Sequence, residues 1–404
     1  MNCTVNIAQD LYWLGASDRR LARFENLFPL TRGVCYNSYL LLDEKAVLLD
    51  TVDYAVGRQF FANLEALLQG RTLDYVVVHH MEPDHAATLG ELLQRYPGLQ
   101  VVGNAKTVQM IGQFFELELG GRTRLVNEGD ALCCGAHTLR FYMAPMVHWP
   151  EVMVSYDDAT GALFSADAFG SFGALDGRIT TDAADFEANW LAEARRYYAN
   201  IVGKYGVQVQ ALLKKAAGLD VRVLCPLHGP VWQTSPTYLV EKYDLWSRYV
   251  PEQPAVAVFY ASMYGHTAAA ADCLAGLLAA RGVRDIAVYD ISKTDASYLV
   301  GEVWRCSHLV LASPTYNGGL YPRMESLLAD LKALNAQNRT VALIENGSWA
   351  PMAAKHMRAA LEGMKGMQVL EPVLTVKSAP KPAQTPDFEA LADAVAASLA
   401  AYGG

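Results

Sequence analysis

From Ala255 onward, apolar runs of strand length alternate strictly with runs of helix length. The order is AVAVFY, a helix, DIAVYD, a helix, HLVLAS, a helix, TVALIEN, a helix, and a last helix over 387–402. That alternation predicts a doubly wound parallel sheet, since only a helical crossover returns the chain to start a parallel neighbour. The first half follows a different rule. YNSYLLLD, AVLLD, YVVVHH, LQVVGN, TLRFYMA, EVMVSYDD and ALFSAD include neighbours with no helix between them, and helical patterns fall at 58–68, 86–95 and 185–205. Two mixed sheets with helices outside are expected there. A helix over 237–249 leads into Val250-Pro251-Glu252-Gln253-Pro254, whose two prolines disfavour helix continuation and mark the join. The domains are therefore read as 1–250 and 254–404. No internal repeat is visible, and the proline-rich stretch 377–386 is read as a loop.

A chain of 404 residues with 52% hydrophobic and 19% charged residues has ample material for more than one packed core and little sign of disorder. Its 33 basic and 42 acidic residues give a net charge of −9, which argues against a nucleic-acid or anionic-membrane surface. The start, MNCTVNIAQDLYWLG, has no basic segment followed by an apolar run, and no apolar stretch approaches a membrane span. The seven cysteines are odd in number and form no CxxC pair. They read as reduced thiols in a cytoplasmic protein.

The densest chemical signal is His79-His80-Met81-Glu82-Pro83-Asp84-His85, set between the strand-like YVVV and a helical run. Asp84 alone would serve as a helix cap, but capping does not account for two acids and two histidines within six residues. A short loop lets His80, Glu82, Asp84 and His85 converge on one point without ordering a long segment. His79 should point away from its neighbour by strand alternation and is given no ligand role. Three more ligand-type residues lie just past strands: His148 before Trp149-Pro150, Asp167 at the end of ALFSAD, and His228 in Pro226-Leu227-His228-Gly229-Pro230. Together they make seven, which suits two metal ions sharing one bridging carboxylate. Three carboxylates, four imidazoles and no thiolate favour iron or manganese over a thiolate zinc site.

The order H-x-[EH]-x-D-H, then His, Asp and His resembles the metallo-β-lactamase superfamily, whose fold is an αββα sandwich. Zinc hydrolases of that superfamily usually carry histidine where this chain has Glu82; the glutamate is the flavodiiron variant. The resemblance implies that His80, Glu82 and His148 hold one iron, that Asp84, His85 and His228 hold the other, and that Asp167 bridges them. Two metals about 3.5–4 Å apart clamp both ends of a small substrate. Trp149, Tyr197 and Tyr198 are candidates for the pocket wall, because EARRYYANI resembles a family stretch that carries a pocket tyrosine.

In the second half, Ala261-Ser262-Met263-Tyr264-Gly265-His266-Thr267 offers backbone amides and hydroxyls to a phosphate at a helix start. It is neither GxGxxG nor a Walker loop. It resembles the flavodoxin phosphate loop [ST]-x-x-G-x-T, with Ser262, Gly265 and Thr267 at the marked positions and His266 at a position often filled by another polar group. Two later loops at strand ends, Ser313-Pro314-Thr315-Tyr316-Asn317-Gly318-Gly319 and Glu345-Asn346-Gly347-Ser348-Trp349, pair glycine with an aromatic that suits an isoalloxazine ring. The resemblance to short-chain flavodoxin covers nearly all of 254–404 and implies FMN.

The expected architecture is thus α/β: an N-terminal αββα metallo-β-lactamase-like sandwich followed by a C-terminal flavodoxin-like doubly wound parallel sheet. As a whole the chain resembles the flavodiiron proteins, which pass electrons through FMN to a diiron site that reduces dioxygen to water or nitric oxide to nitrous oxide. A flavin stores two electrons and a diferrous pair two more, and reducing one dioxygen to two waters takes four. The resemblance further implies a head-to-tail homodimer, or a dimer of dimers, and a separate redox donor such as rubredoxin. The rival is a metallohydrolase with an accessory flavodoxin module; Glu82 and the redundancy of a flavin in hydrolysis speak against it. A non-enzymatic electron carrier with a structural metal would not need seven ligands.

Overall fold

The computed structural model describes residues 2–117, 119–234 and 236–402. The chain divides into two compact units, one formed by Met1–Tyr198 and Tyr205–Asp244, the other by Ala199–Lys204 and Leu245–Gly404.

Among the described residues the first unit holds two seven-stranded mixed sheets. In the first, Val5–Ala8, Leu11–Trp13, Tyr39–Leu42 and Ala46–Leu49 run antiparallel, and Tyr75–Val77, Gln100–Gly103 and Thr123–Leu125 then add in parallel. The second begins as an antiparallel meander of Ala131–Cys133, Thr138–Met143, Met153–Asp157 and Ala162–Phe164. Val223–Cys225 extends it in parallel. The inner faces meet directly. The Tyr39 ring of the first sheet stands edge-on to Phe164 of the second, 5.4 Å between centroids. Helices cover the outer faces, so this is an αββα sandwich. The helix Gly57–Leu68 shows why: it turns Phe60, Phe61, Leu64 and Leu68 to the core at helical spacing and leaves Arg58, Gln59 and Glu65 outside. Each such buried side chain contributes ~1.5–3 kcal/mol.

The helical pattern read over 185–205 is broken into pieces. Asp182 caps Ala183–Asn189 through the Asp185 amide, and Leu191–Tyr197 follows. A π-helical turn at Tyr198–Val202 and a 3₁₀ turn at Gly203–Tyr205 then lead into Gly206–Ala216. The stretch read over 86–95 also splits, into a single turn Pro83–Ala86 and the helix Leu89–Arg95.

In the second unit the strand order is Ile286–Asp290, Gln253–Tyr260, Cys306–Tyr316, Thr340–Asn346, with Gln368–Val369 and Leu374–Val376 both pairing with the last. The pairings along this order are all parallel, giving the 2-1-3-4-5 arrangement of flavodoxins. The last two short strands lie in a stretch whose pattern was too brief to read. The helix His266–Ala280 seals one face by burying Ala270, Ala271, Leu274 and Leu278 against Val256, Val258 and Val310.

His308 lies inside this unit, 1% exposed, with Nδ1 2.8 Å from Ser307 Oγ and Nε2 3.0 Å from Ser398 Oγ. Burial lowers its imidazole to about 4. An unfolded histidine titrates near 6.5, so between these values the unfolded chain takes up a proton that the folded one refuses. Stability is therefore complete above pH ~6.5 and falls as the pH drops towards 4, by at most about 1.4 kcal/mol per pH unit for this group. His308→Asn should flatten that part of the acid limb in urea-midpoint measurements; an unchanged slope would show that His308 does not set it.

Candidate metal and flavin sites

The ligand-rich loop begins where the strand Tyr75–Val77 stops, and it is pinned from behind. Asp50 accepts the His79 amide at 2.7 Å and stands 2.6 Å from His79 Nδ1, while Ser155 Oγ is 2.7 Å from His79 Nε2. His79 therefore faces inward between the sheets, away from its neighbour. The Thr51 amide and hydroxyl both donate to the His85 carbonyl, at 3.0 and 2.7 Å. With the loop so held, His80, Glu82, Asp84 and His85 are directed to one end of the two sheets.

His148, Asp167 and His228 arrive there from the second sheet. The seven side chains sort into two groups, His80 with Glu82, His148 and Asp167, and Asp84 with His85 and His228; within each group the donor atoms lie within 4.8 Å of one another. Asp167 stands between them. Its Oδ2 is 3.4 Å from His80 Nε2 and 3.2 Å from His148 Nε2, and its Oδ1 is 3.1 Å from His85 Nε2 and 3.8 Å from His228 Nε2. Glu82 Oε2 is 3.0 Å from both His80 and His148, and Asp84 Oδ2 is 3.2 Å from His228 and 3.4 Å from His85.

The donor set fits two divalent cations. Both carboxylate oxygens of Asp84 and of Asp167 are buried without a hydrogen-bond partner among the described residues. His85 and His228 bring their Nε2 atoms to 3.0 Å of each other. Such crowding of unpaired acceptors is costly unless a cation sits among them. The charges act strongly on one another. Burial alone would lower the His148 imidazole, but the Asp167 carboxylate 3.2 Å away and the hydrogen bond with Glu82 outweigh it and carry it up to about 9. Burial raises the Glu82 carboxyl, yet the bonds from His148 and His80 leave it well below the usual carboxylate range.

Of the two tyrosines, Tyr197 faces this site. Its ring is 5.6 Å from His228, and its hydroxyl is buried with no hydrogen-bond partner among the described residues. Burial, reinforced by Asp167, Glu82 and Asp84, holds the phenol protonated far above its ordinary range. Gly170 leaves room for it, because a Cβ there would come within 3.0 Å of the Tyr197 ring. Tyr198 turns the other way and packs on Tyr243, 4.9 Å between centroids. Trp149 stands edge-on to His80 at 5.1 Å and forms a wall.

Several residues near the site were not singled out from the sequence. Asn37 donates to the carbonyls of Pro226 and Gly229, both at 2.8 Å, and so clamps the loop that carries His228. Phe24 packs edge-on to His228 at 5.2 Å. The next residue, Glu25, lies in the turn between the two-residue strands Arg23–Phe24 and Phe28–Pro29 and hydrogen-bonds Glu82; burial and that neighbouring carboxylate push it up to about 7. Pairs of such short strands carry no periodicity from which to predict them. Glu151, 1% exposed, stands 2.8 Å from His80 Nδ1.

In the second unit a cavity of about 430 Å³ opens at the carboxyl ends of the strands. Ser262, Met263, Tyr264, His266 and Thr267 line it with Pro314, Thr315, Tyr316, Asn317, Gly318, Asn346, Gly347, Ser348 and Trp349. Gly265 and Gly319 do not line it. Gly265, at φ +91°, turns the chain into the helix His266–Ala280, and Gly319 pairs with Tyr316 in a short strand. Among the described residues no side chain caps that helix, while Ser262 Oγ accepts the Gly265 amide at 3.1 Å; the first-turn amides suit a phosphate. Trp349 is 92% and Tyr264 87% exposed, so neither is a core aromatic. Flat apolar rings left open beside a concave polar site fit a planar ligand. Ser378 closes the rim: its carbonyl accepts Asn346 Nδ2 at 2.9 Å, and its hydroxyl lies 2.9 Å from Ser348 Oγ. It lies in the stretch read as a plain loop, with nothing local to mark it.

Residues 34–229 match the ODP family beta lactamases and residues 258–391 match the flavodoxins. An anaerobic nitric oxide reductase flavorubredoxin from Aliivibrio salmonicida is 30% identical over 369 residues, 89% of this chain and 72% of that relative. One from Vibrio vulnificus is 29% identical over 369 residues, 89% of this chain and 73% of the relative. Among solved structures, rubredoxin oxygen:oxidoreductase from the anaerobe Desulfovibrio gigas superposes with a TM-score of 0.90 at 26% identity, over 98% of this chain and 99% of its own. The flavodiiron protein of Giardia intestinalis, at 24% identity and a TM-score of 0.92 over 99% and 97% of the two chains, supports the fold alone.

Proposed function

This chain is an oxidoreductase of the flavodiiron protein family, and from that premise we propose that it takes electrons through FMN to a pair of irons where dioxygen is reduced to water or nitric oxide to nitrous oxide. One observation carries the reading: Asp167 turns one oxygen to each of the two ligand groups. We assign His80, Glu82 and His148 to one iron and Asp84, His85 and His228 to the other, with Asp167 common to both. When bound, the iron pair supplies two adjacent Lewis-acidic, redox-active positions for a diatomic gas, and the flavin supplies stored electrons.

The protein's own share is positioning, exclusion of water and custody of protons. Trp149, Phe24 and Tyr36 surround the imidazoles with apolar ring edges and keep bulk water from the site. Tyr197 keeps its proton on a hydroxyl that no group among the described residues engages, available to a small polar substrate atom. In the other unit the amides after Gly265 would hold the FMN phosphate, and Tyr316 and Trp349 would offer their rings to its isoalloxazine. Thr315 Oγ1 accepts the Met352 amide at 2.8 Å and the Ala353 amide at 3.2 Å, which fixes the wall between them.

Both gases belong to the proposal. The relatives named for nitric oxide align with 89% of this chain, and the structure named for oxygen superposes on 98% of it. Rubredoxin, or another low-potential carrier protein, is the proposed donor. The seven cysteines are free thiols, and we assign the protein to the cytoplasm. Among the described residues no helix is long and apolar enough to cross a membrane. A head-to-tail homodimer, or a dimer of dimers, is also proposed. Sedimentation should give at least twice the 44.2 kDa of one chain, and a monomer that turns over at full rate would refute it.

The deciding experiment is anaerobic. Iron-loaded protein is reduced through rubredoxin, and consumption of dioxygen and of nitric oxide is followed in parallel. Rapid loss of either gas supports the reading, and the ratio of the two rates identifies the physiological substrate. If neither gas is consumed while iron and FMN are both bound and the flavin is being reduced, the proposal fails.

A further inference from the structure

Behind the seven ligand-type side chains the two groups are supported differently. On one side stands Glu151, buried at 1% exposure, three residues after His148. A single oxygen, Oε1, accepts the Met81 amide at 2.9 Å and lies 2.8 Å from His80 Nδ1. Asn104 Nδ2 holds the Glu151 carbonyl at 2.6 Å, which fixes its backbone. The stretch that delivers His148 therefore also braces His80. On the other side, His228 Nδ1 meets the neutral carbonyl of Cys35, at 2.8 Å, and among the described residues no carboxylate. His85 Nδ1 is buried with no hydrogen-bond partner among the described residues.

An imidazole that donates Nδ1–H to a carboxylate is locked in the tautomer that frees Nε2 for a metal, and it becomes a stronger donor than one backed by a carbonyl. We propose that Glu151 is a positioning residue that makes the two irons unequal. Acting through His80, its carboxylate tightens the hold on the iron of His80, Glu82 and His148 and favours its oxidised form. The iron of Asp84, His85 and His228 has no such support among the described residues and is the looser of the two. The inference rests on the two-iron assignment above.

Glu151→Gln separates the charge from the scaffold, because the amide oxygen still accepts from Met81 and His80 while the negative charge is gone. Glu151→Asp keeps the charge on a shorter side chain. Holoproteins of all three would be loaded with ⁵⁷Fe, with bound FMN as the marker of a folded chain, and iron release to a chelator and Mössbauer spectra recorded. Wild type should release its two irons in two phases. Glu151→Gln should release the slower iron at least about tenfold faster, within the ten- to hundredfold typical of lost outer-shell partners, and leave the faster phase alone. One iron's Mössbauer signal should shift and the other should stay. Glu151→Asp should lie nearer to wild type. Unchanged release and spectra in Glu151→Gln, or equal acceleration of both irons, would overturn the role of Glu151 and leave the two-iron assignment standing. A wild-type protein that binds fewer than two irons would overturn both.

Discussion

Asp167→Ala should yield a folded, yellow protein that no longer holds its iron pair and reduces neither gas, with turnover down by at least about a thousandfold. The effect should exceed the ten- to hundredfold that follows loss of a group merely supporting a ligand, because Asp167 turns an oxygen to each ligand group. Its removal leaves Glu82 and Asp84 in separate sets with no common acceptor. FMN should stay bound, since every residue lining the flavin cavity belongs to the other unit. Metal analysis, flavin absorbance and gas consumption on one preparation check all three. His148→Ala and His228→Ala should behave alike but retain part of the iron. Full reductase activity in Asp167→Ala would make the metal site structural only, and loss of flavin in any of the three would mean that the sites are not independent.

The complementary change lies in the other unit. Ser262→Asp should retain both irons and lose FMN. Aspartate can still accept the Gly265 amide as Ser262 Oγ does at 3.1 Å, so the loop keeps its shape. The new carboxylate, however, would stand beside the flavin phosphate. Two like charges ~4 Å apart near a surface cost about 4 kcal/mol, or roughly a thousandfold in affinity. Equilibrium dialysis against FMN, with iron counted on the same sample, measures it. Flavin affinity close to wild type would remove the phosphate from the 262–267 loop.

The legible parts of this protein were those in which many residues repeat one physical instruction. Strict alternation after residue 255 has one economical solution, and the parallel sheet follows it strand by strand. The motif from His80 to His85 was legible because four ligand-type side chains fall within six residues. Single residues whose meaning comes from a distant partner were not legible. Glu151 is one acid after Trp149-Pro150, and its purpose depends on His80, 71 positions earlier. Asn37, Glu25 and Ser378 are alike in this respect. The choice between Tyr197 and Tyr198 depended on helix phase, and the phase changes at the π-helical turn that begins at Tyr198. The single pattern read over 185–205 hid that turn.

The position of Ser378 on the flavin rim also has a consequence for the order of assembly. During synthesis the last of the seven ligand-type side chains, His228, emerges 150 residues before the hydroxyl and carbonyl that complete the flavin cavity. Domains generally fold as units from the amino end. A nascent chain thus carries every metal-directed side chain while its flavin cavity is still open. The seven side chains can therefore converge before the second cavity is closed, so a chain that stops short of Ser378 should still gather its metal-directed groups while its flavin cavity lacks one rim.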